Sequence, residues 1–470
     1  MSDHETGLKR GVLGPAQIAF FVISAAGPLV AMAGGIPVAM LLGNGPGTPA
    51  LFALTSLILI AFSVGYTDMA RDVRNAGAFY AFAARGLGGV AAGATGVLAL
   101  LSYNALQIGL YGLFGIAAAS LCAALGGPAL PWWTCALAAL ALVAALGYRQ
   151  VDLSARILGV LVALEYAVVL VLCLVMLAKG GAQGLSARPF DPAVIAAGSP
   201  PIGLMFCFAA FVGFEATTIY SEEARDPART VPLATYLSVV LIGGFYTFST
   251  WAVVMGAGAD RLWPMLRSAD PTELLFTLSA HYAGAWLSLA MRVLFVTSTF
   301  ASLLAFHNAI ARYAFAMGRE RLLPSALGRT HPRHRSPHRG SLAQSALALL
   351  AVGAFAAADA DPILTVFTVP SGLAVLGIVT LMATTALAIC RYLLVHRKRR
   401  LSAAITAASC IALGGAGLLA VVNFDLLAGT GGTLAGLLPL AILAAAAAGA
   451  GLALRLRRAD PAAYALMGEG

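Results

Sequence analysis

The sequence is poor in charged residues. Asp, Glu, Lys and Arg together make up 10% of its 470 residues, whereas about 25% is usual for a soluble protein. Apolar residues make up 60%, and the mean hydropathy is +0.88. A soluble chain of this length would form two or three domains with polar surfaces. The composition excludes that organisation and indicates a polytopic membrane protein.

Cysteine is scarce, and several site motifs are missing. The six cysteines include no C-x-x-C pair, so the sequence predicts neither a disulfide framework nor a zinc site. It contains no G-x-x-x-x-G-K-[ST] and no H-E-x-x-H motif. We therefore expect no cofactor, no resident metal and no transport driven by ATP hydrolysis within this chain. An integral-membrane enzyme would need a catalytic set such as His and Asp metal ligands within spans, and since we find none we expect no enzyme.

The apolar segments run for about 20 residues, enough to cross a hydrocarbon core of about 30 Å. The third, eighth and tenth are longer and must tilt or project from the bilayer. An even number of spans places both termini on the same side. The twelve predicted spans are residues 15–42, 49–70, 88–125, 130–148, 155–179, 200–221, 233–257, 284–317, 341–358, 363–395, 402–423 and 433–455.

Lys and Arg are concentrated on one side of this arrangement, notably in residues 329–339 and 391–400. The positive-inside rule makes that side cytoplasmic, so both termini should be cytoplasmic in a plasma membrane protein. The basic run at residues 396–400 is interpreted as a topology determinant that can also contact anionic membrane lipid. We expect no nucleic-acid partner.

Two predicted spans are interrupted. The first contains Gly27-Pro28, and the sixth contains Gly213 followed by Glu215. Broken helices expose unpaired backbone groups at mid-membrane, which is tolerable only beside a cavity or a ligand. Interruptions at corresponding places in two halves point to the substrate site of a transporter built from inverted repeats. The alternative is that Gly27 and Gly213 only permit tight packing.

Two runs of small residues, Gly86–Gly96 and Ala444–Gly451, predict close helix–helix approach. In lipid, small side chains let helix backbones come into contact.

Three longer patterns extend over much of the chain. They are Phe211–Ala216 leading into Glu222–Pro232, Asp68–Tyr80 with Arg85–Gly88, and Ser298–Asn308 continuing to Met317–Pro324. With these patterns the chain resembles the amino acid permeases of the amino acid–polyamine–organocation superfamily. The resemblance implies an all-α integral membrane protein with a five-plus-five inverted repeat of the leucine-transporter type. Its first and sixth helices would be broken, and two further helices would follow at the C-terminus.

This fold implies five regions. They are a cytoplasmic N-terminal tail at 1–14, a first repeat at 15–179, a second repeat at 200–395, two additional spans at 402–455 and a cytoplasmic tail at 456–470.

The first interruption suits a carboxylate. If a helix restarts at Pro28, the N–H groups around Ala26, Gly27 and Leu29 face the cavity with the positive end of a half-helix dipole. The related permeases commonly have Gly-x-Gly here, whereas this chain has Ala25-Ala26-Gly27-Pro28. That difference leaves open a substrate without a carboxylate.

Backbone carbonyl groups at the two interruptions suit an ammonium group. The expected acceptors lie near Ile23 in the first span and near Ala209, Ala210 and Val212 in the sixth. The resemblance implies the same two roles for these two neighbourhoods.

Glu215 and Glu165 are ionisable residues within predicted spans, where a carboxylate is costly unless it faces a cavity or a partner. Glu215 follows the sixth-span interruption, so we expect it to act on the substrate or a gate, or else to form a structural hydrogen bond. By resemblance, Glu165 occupies the position of a lysine found in the sodium-site region of proton-coupled permeases. It can carry a proton through the cycle, or be a fixed group bound to Ser298 or Ser302 of span eight.

Other polar residues within spans carry weaker signals. Tyr103, Asn104 and Gln107 share one face of span three. They can contact the substrate, Asn104 in particular, or form interhelical hydrogen bonds. For His307 and Asn308 we expect packing or gating rather than ligation.

The sequence thus predicts a secondary active transporter that moves an amino acid across the plasma membrane by alternating access, with proton coupling. The alternative is a transporter or exchanger of a polyamine or another organic amine. The expected partners are a small-molecule substrate, protons and membrane lipid.

Overall fold

The computed structural model describes residues 14–25, 27–73, 78–149, 155–214, 217–218, 224–332, 336–424 and 436–468. Its α-helices are α1 (Pro15–Ala25), α2 (Ile36–Ala39), α3 (Thr48–Ala70), α4 (Ala78–Leu87), α5 (Gly89–Ala124), α6 (Trp132–Tyr148), α7 (Ala155–Ala178), α8 (Pro192–Ala196), α9 (Pro200–Ala209), α10 (Pro227–Ala257), α11 (Leu262–Ser268), α12 (Leu274–Ala283), α13 (Ala285–Arg319), α14 (His338–Ala357), α15 (Thr368–Tyr392), α16 (Arg400–Val422), α17 (Pro439–Ala459) and α18 (Pro461–Ala465). Wider π-helical turns occur at Val30–Gly35, Met40–Asn44, Pro362–Phe367 and Leu393–Arg397. Short 3₁₀ turns occur at Gly45–Gly47, Arg188–Phe190 and Pro271–Glu273.

Nine helical stretches of the described chain are long and apolar enough to cross a bilayer. They are Val30–Ala70, Gly89–Ala124, Gly159–Ala178, Pro227–Ala257, Ala285–Arg319, His338–Ala357, Pro362–Arg397, Arg400–Val422 and Pro439–Ala459. The first of them contains the turn at Gly45–Gly47 and overlaps two predicted spans. The shorter apolar helices α6 and α9 correspond to the predicted fourth and sixth spans.

Helix lengths follow the sequence pattern in most places. The predicted third, eighth and tenth spans are long, and the corresponding stretches contain 36, 35 and 36 residues. The predicted sixth span differs most, because α9 ends at Ala209 although the apolar run continues. The next helix, α10, begins at Pro227, six residues before the predicted start, since proline suits the first helical position.

The helices divide into central and peripheral members. The most apolar 18-residue window of Pro362–Arg397 is 72% buried, whereas that of α14 is 28% buried. Leu350 of α14 and Ile411 of α16 are more than 70% exposed. Large exposed apolar side chains on a multi-pass protein are suited to contact with lipid. The helix around α15 therefore lies inside the bundle, while α14 and α16 form part of its outer surface.

The two small-residue runs meet, which confirms the close helix approach predicted for them. Gly93 of α5 packs against Gly449 of α17, and a Cβ atom on either would overlap the backbone carbonyl of the other. Close backbone contact of this kind is a common way for helices to associate in lipid.

We expect Gly449→Leu to lower the melting temperature of the purified protein, because the added side chain has only the α5 backbone to displace. Overpacking of a close-packed interior typically costs about 1–3 kcal/mol. Gly451→Leu is the matched control, since no atom lies within 4 Å of its added Cβ. Equal melting temperatures for the two variants would show that the glycine contact does not stabilise the bundle.

Ion pairs tie the helix ends together at one end of the bundle. Asp72, just after α3, pairs with Arg397, and Asp68 pairs with Arg399. Burial alone would raise the pKa of Asp72, but its hydrogen bonds from Arg397 and Tyr392 outweigh burial and leave the pKa below the usual value. These carboxylates bring basic residues of the 391–400 region against the end of α3.

The predicted C-terminal tail begins inside α17, which ends at Ala459. Beyond it, Asp460 pairs with Arg321 at 2.7 Å, and Met467 is 5% exposed. Tyr464 of α18 lies against Gly89 at the start of α5. The described part of this segment is thus packed on the ends of α5 and α13.

Candidate functional site

The first helix is interrupted at the predicted position. Helix α1 ends at Ala25, and Gly27 has a φ of +52°, a left-handed conformation that favours glycine. Helical structure resumes at Pro28, and the Gly27 carbonyl accepts the N–H of Ala31 at 3.0 Å. Leu29 is therefore the second residue of a new helix, where a backbone N–H has no partner within the helix.

The sixth span is interrupted as well. After α9 ends at Ala209, the N–H groups of Phe211 and Val212 donate to carbonyls three residues back, each at 3.1 Å. The chain then turns at Gly213, whose φ is +106°. Tight turns followed by a left-handed glycine end the α-helical hydrogen-bond pattern there. The Ala209 carbonyl, predicted as an acceptor for an ammonium group, accepts the Val212 N–H.

A cavity of about 90 Å³ lies between the two interruptions. Its walls come from the resumed first helix, from α5, from the end of α9, and from α13 and α15. The lining residues are apolar apart from two serines. The lining residues are Val30, Ala31, Gly35, Ile36, Leu106, Leu110, Phe206, Ala209, Ala210, Val212, Ser302, Phe306, Phe367, Ser371 and Val375.

Glu165 of α7 connects the first interruption to α13. Its Oε2 accepts the backbone N–H of Leu29 at 3.2 Å and the Ser298 hydroxyl at 2.9 Å. The side chain is 1% exposed. A buried carboxylate at the start of a helix is stabilised by the unpaired N–H groups and by the helix dipole. Glu165 therefore caps the resumed first helix from a position 136 residues away in the chain.

An aromatic cluster of α7 and α10 adjoins Glu165. Tyr166 is the next residue of α7, and its ring contacts Phe245 of α10 at a centroid distance of 4.4 Å. Tyr246 of α10 is fully buried and packs edge-on against Phe245. The cluster thus lies next to a residue whose carboxyl group is bonded to Leu29 and to Ser298 of α13.

Several predicted site residues lie together. Ala209, Ala210, Val212 and Ser302 all line the cavity. A Cβ atom on Gly27 would lie 3.4 Å from the Ser302 hydroxyl oxygen, so the first interruption borders the same cavity. Ser298 bonds Glu165 and does not line the cavity. This bond is the one expected if Glu165 is a fixed group bound to span eight.

Other predicted site residues lie elsewhere or are already bonded. The Leu29 N–H, predicted to bind a substrate carboxylate, is bonded to Glu165. Ile23 is half-buried and packs against the core, outside the cavity lining. Asn104 also lies outside that lining, and its side-chain N–H group donates to the Leu100 carbonyl of its own helix at 2.7 Å. Ala26 and Glu215 are outside the described residues.

The remaining polar residues form interhelical contacts. Gln107 donates to the Leu303 carbonyl at 3.1 Å and accepts from Gln344 of α14. His307 bonds the Ser341 hydroxyl at 2.7 Å. Gln107 thus forms the interhelical hydrogen bonds of its second alternative. The bond of His307 to α14 is consistent with either packing or gating. Among the described residues, no group of three or more His, Cys, Asp or Glu side chains is placed to hold a metal ion.

The residues that sequence reasoning missed are mainly apolar. Leu106, Leu110 and Phe306 line the cavity, but in sequence they resemble any core or lipid-facing residue. Ser371 carries a usable signal, because it lies in Pro370-Ser371-Gly372 within a predicted span. Proline and glycine in a membrane helix often mark irregular backbone beside a cavity.

Comparison with known proteins places this arrangement in a family. Residues 13–447 match the family model described as amino acid permease. The low-affinity putrescine importer PlaP of Escherichia coli is 27% identical over 317 residues, which cover 65% of this chain and 66% of the relative. The branched-chain amino acid permease BcaP of Bacillus subtilis is 25% identical over 309 residues, covering 63% and 64%. Human cationic amino acid transporter 4 is 28% identical over 141 residues, covering 30% and 21%.

The chain thus spans about two thirds or less of the length of these relatives. The names of these relatives describe transporters of small molecules, not enzymes. The family match covers nearly all of the described helices, including both interruptions and Glu165. The chain therefore belongs to the amino acid permeases of the amino acid–polyamine–organocation superfamily and is a multi-pass membrane protein.

Proposed function

We propose that this protein is a secondary active transporter that moves an amino acid across the plasma membrane by alternating access, coupled to protons. The observation that carries this proposal is the cavity between two interrupted helices, with Glu165 bonded to the start of one of them. In the arrangement we propose, twelve spans form a five-plus-five inverted repeat with two additional C-terminal helices. Both termini are cytoplasmic, on the side that carries most Lys and Arg.

The coupling follows from a shared hydrogen-bond donor. An ionised Glu165 holds the Leu29 N–H, which the carboxylate of an amino acid would need at the same helix start. Protonation removes the charge and weakens this bond, because charge-assisted hydrogen bonds are about twice as strong as neutral ones. The proton on Glu165 and the substrate carboxylate therefore favour each other's binding. Such mutual dependence is what a proton symporter requires.

One observation favours a second candidate, an organic amine without a carboxylate. Because Glu165 already occupies the Leu29 N–H, a substrate with no carboxylate has no need to displace it. Its ammonium group would be attracted to an ionised Glu165, and PlaP is named as a putrescine importer. In this case protonation of Glu165 would weaken substrate binding, the opposite of the amino acid case.

A thermal-shift screen of the purified protein against amino acids and amines, at acid and alkaline pH, tests both candidates. A ligand that binds the folded state raises its apparent stability. Stabilisation by amino acids that grows as pH falls supports the proposal. Stabilisation by amines that grows as pH rises supports the second candidate. A screen in which neither class stabilises the protein at either pH would contradict both.

We expect Glu215→Gln to reduce transport more than it reduces folding stability, since Glu215 immediately follows the sixth-span interruption. Loss of a charged partner of the substrate ammonium would weaken binding by roughly 10- to 100-fold. The measurement is uptake by reconstituted protein, with its melting temperature as the control for folding. Uptake equal to that of the unaltered protein would leave a structural role only, and a loss confined to cationic substrates would favour the amine candidate.

A further inference from the structure

Much of the cavity lining outside the two interruptions is hydrocarbon. Leu106 and Leu110 belong to α5, Phe306 belongs to α13, and Phe367 and Val375 belong to the π-helical turn before α15 and to α15 itself. These five residues form the apolar wall of the cavity. Because their side chains carry no donor or acceptor, a ligand that touches them finds no side-chain hydrogen bond there.

The polar atoms beside the cavity are concentrated at the interruptions. Ser302 lies next to the first one, since a Cβ atom on Gly27 would be 3.4 Å from its hydroxyl oxygen. Ala209 and Ala210 bring the irregular backbone of the sixth span to the lining. Among the lining residues that the structure describes, none is charged. The amino and carboxyl groups of a substrate therefore find their partners at the interruptions and not at the apolar wall.

Ser371 of α15 also belongs to the lining, but its hydroxyl group is buried against α5. A Cβ atom on Gly109 would lie 2.5 Å from Ser371 Oγ and 3.0 Å from the Phe367 carbonyl oxygen. A Cβ atom on Gly112 would lie 2.8 Å from the Pro362 carbonyl oxygen. The backbone of α5 is thus in close contact with its neighbour behind the apolar wall, which leaves no room for a water molecule at these two positions.

A polar side chain placed against this wall would lose its hydration without gaining a partner. Burial of an amide or a hydroxyl without a hydrogen bond is unfavourable, and burial of an unpaired charge is far more so. A hydrocarbon chain instead gains free energy for each CH₂ group that leaves water. The wall therefore selects ligands by their hydrophobicity.

We propose that the apolar wall determines specificity by holding a hydrocarbon side chain of the substrate. The substrate class is an amino acid with an apolar side chain or, for the second candidate, a monoamine rather than a diamine. This inference rests on the proposed transport function. It implies weak binding of compounds whose side chains carry an amide, a carboxylate or a second ammonium group.

The test compares ligands that are matched in shape but differ in polarity. Leucine and asparagine form such a pair for the amino acid candidate, and pentylamine and putrescine form one for the amine candidate. Calorimetric titration of the unaltered protein should show about 10- to 100-fold tighter binding of the apolar member of the pair that binds, the range expected for one unpaired buried polar group.

The rank order within a pair tests this inference, whereas the identity of the pair that binds tests the proposed function. Asparagine that binds as tightly as leucine, or putrescine that binds as tightly as pentylamine, would overturn the inference and leave transport intact. Binding of the amine pair alone would contradict the amino acid substrate, while a preference for pentylamine would still support the apolar wall.

Leu106→Asn replaces part of the wall with an amide of similar shape. The preference for the apolar ligand should fall about threefold or more, because the new amide can bond the polar ligand. Leu101→Asn is the matched control and should keep the preference, since Leu101 is also half-buried on α5 but does not line the cavity. An unchanged preference in Leu106→Asn, or an equal loss in both variants, would overturn the assignment of the wall.

Xenon tests the wall without any substrate, because apolar cavities bind it. Crystals of the unaltered protein under xenon pressure should show xenon in contact with the apolar wall. If xenon binds there but neither pair of compounds binds, the proposed function is contradicted and the apolar wall is not. A cavity that admits no xenon would overturn this inference, whichever compounds bind.

Discussion

Glu165→Gln protein is expected to bind and exchange substrate but to lose accumulation driven by a proton gradient. Glutamine keeps the shape of the side chain and can still accept the bonds from Leu29 and Ser298, but it cannot release a proton. One proton per substrate supports about tenfold accumulation for each pH unit across the membrane. With an imposed difference of two pH units, a symporter that moves one proton per substrate therefore accumulates the substrate up to about 100-fold. The variant should only bring the substrate to equal concentrations on both sides.

The measurement is uptake of labelled substrate into proteoliposomes, with counterflow exchange measured on the same preparation. Glu165→Asp is the matched control, because it keeps a titratable carboxyl at shorter reach and should retain part of the gradient-driven uptake. Substrate affinity in Glu165→Gln should also no longer vary with pH. If Glu165→Gln accumulates substrate as well as the unaltered protein does, Glu165 does not carry the proton. Its role would then be structural, through its bond to Ser298 of α13.

Gly27→Leu is expected to abolish substrate binding while the protein stays folded and monodisperse. A side chain at the Gly27 φ of +52° is strained, at a cost of about 1–2 kcal/mol. The added atoms would also point at Ser302 and Val30, since a Cβ would lie 3.4 Å from each of them. The backbone strain and the added side chain both affect the wall of the cavity next to the first interruption. The affinity for substrate should therefore fall at least tenfold, even if the resumed first helix shifts to reduce the strain.

Gly414→Leu on α16 provides the control, because no atom lies within 4 Å of its added Cβ. Both variants should elute as single species from size-exclusion chromatography, and Gly414→Leu should bind substrate like the unaltered protein. Unaltered affinity in Gly27→Leu would remove the first interruption from the substrate site.

The two interruptions could be predicted from the sequence because a glycine next to a proline, or close to an ionisable residue, within an apolar run often marks broken helix beside a cavity. Gly27-Pro28 and Gly213 gave the positions of both irregular backbones, and the structure has a left-handed glycine at each. The same reasoning gave a bond to Ser298 or Ser302 of span eight as one of two alternatives for Glu165, and the structure contains the bond to Ser298.

The partner of Glu165 on the first helix could not be predicted in the same way. The bond to the Leu29 N–H joins residues 136 positions apart and involves a backbone group, which every residue has. The apolar walls of the cavity were missed for a similar reason. A leucine that faces a cavity, such as Leu110, has the same sequence environment as one that faces lipid or the core. Helix α9 ends at Ala209 in the middle of an apolar run. Because hydropathy does not change at that point, the sequence predicted a span that continues to residue 221.

We propose that protons, rather than sodium ions, drive uptake, with Glu165 as the group that takes up the proton. The most direct test of this proposal is uptake by the unaltered protein in proteoliposomes, with a substrate identified by thermal shift and an imposed pH step, in the presence and absence of sodium. We expect accumulation of the substrate above equilibrium whenever the outside is more acidic, to the same extent without sodium. Accumulation that requires a sodium gradient, and that an acid-outside pH step alone cannot produce, would contradict it.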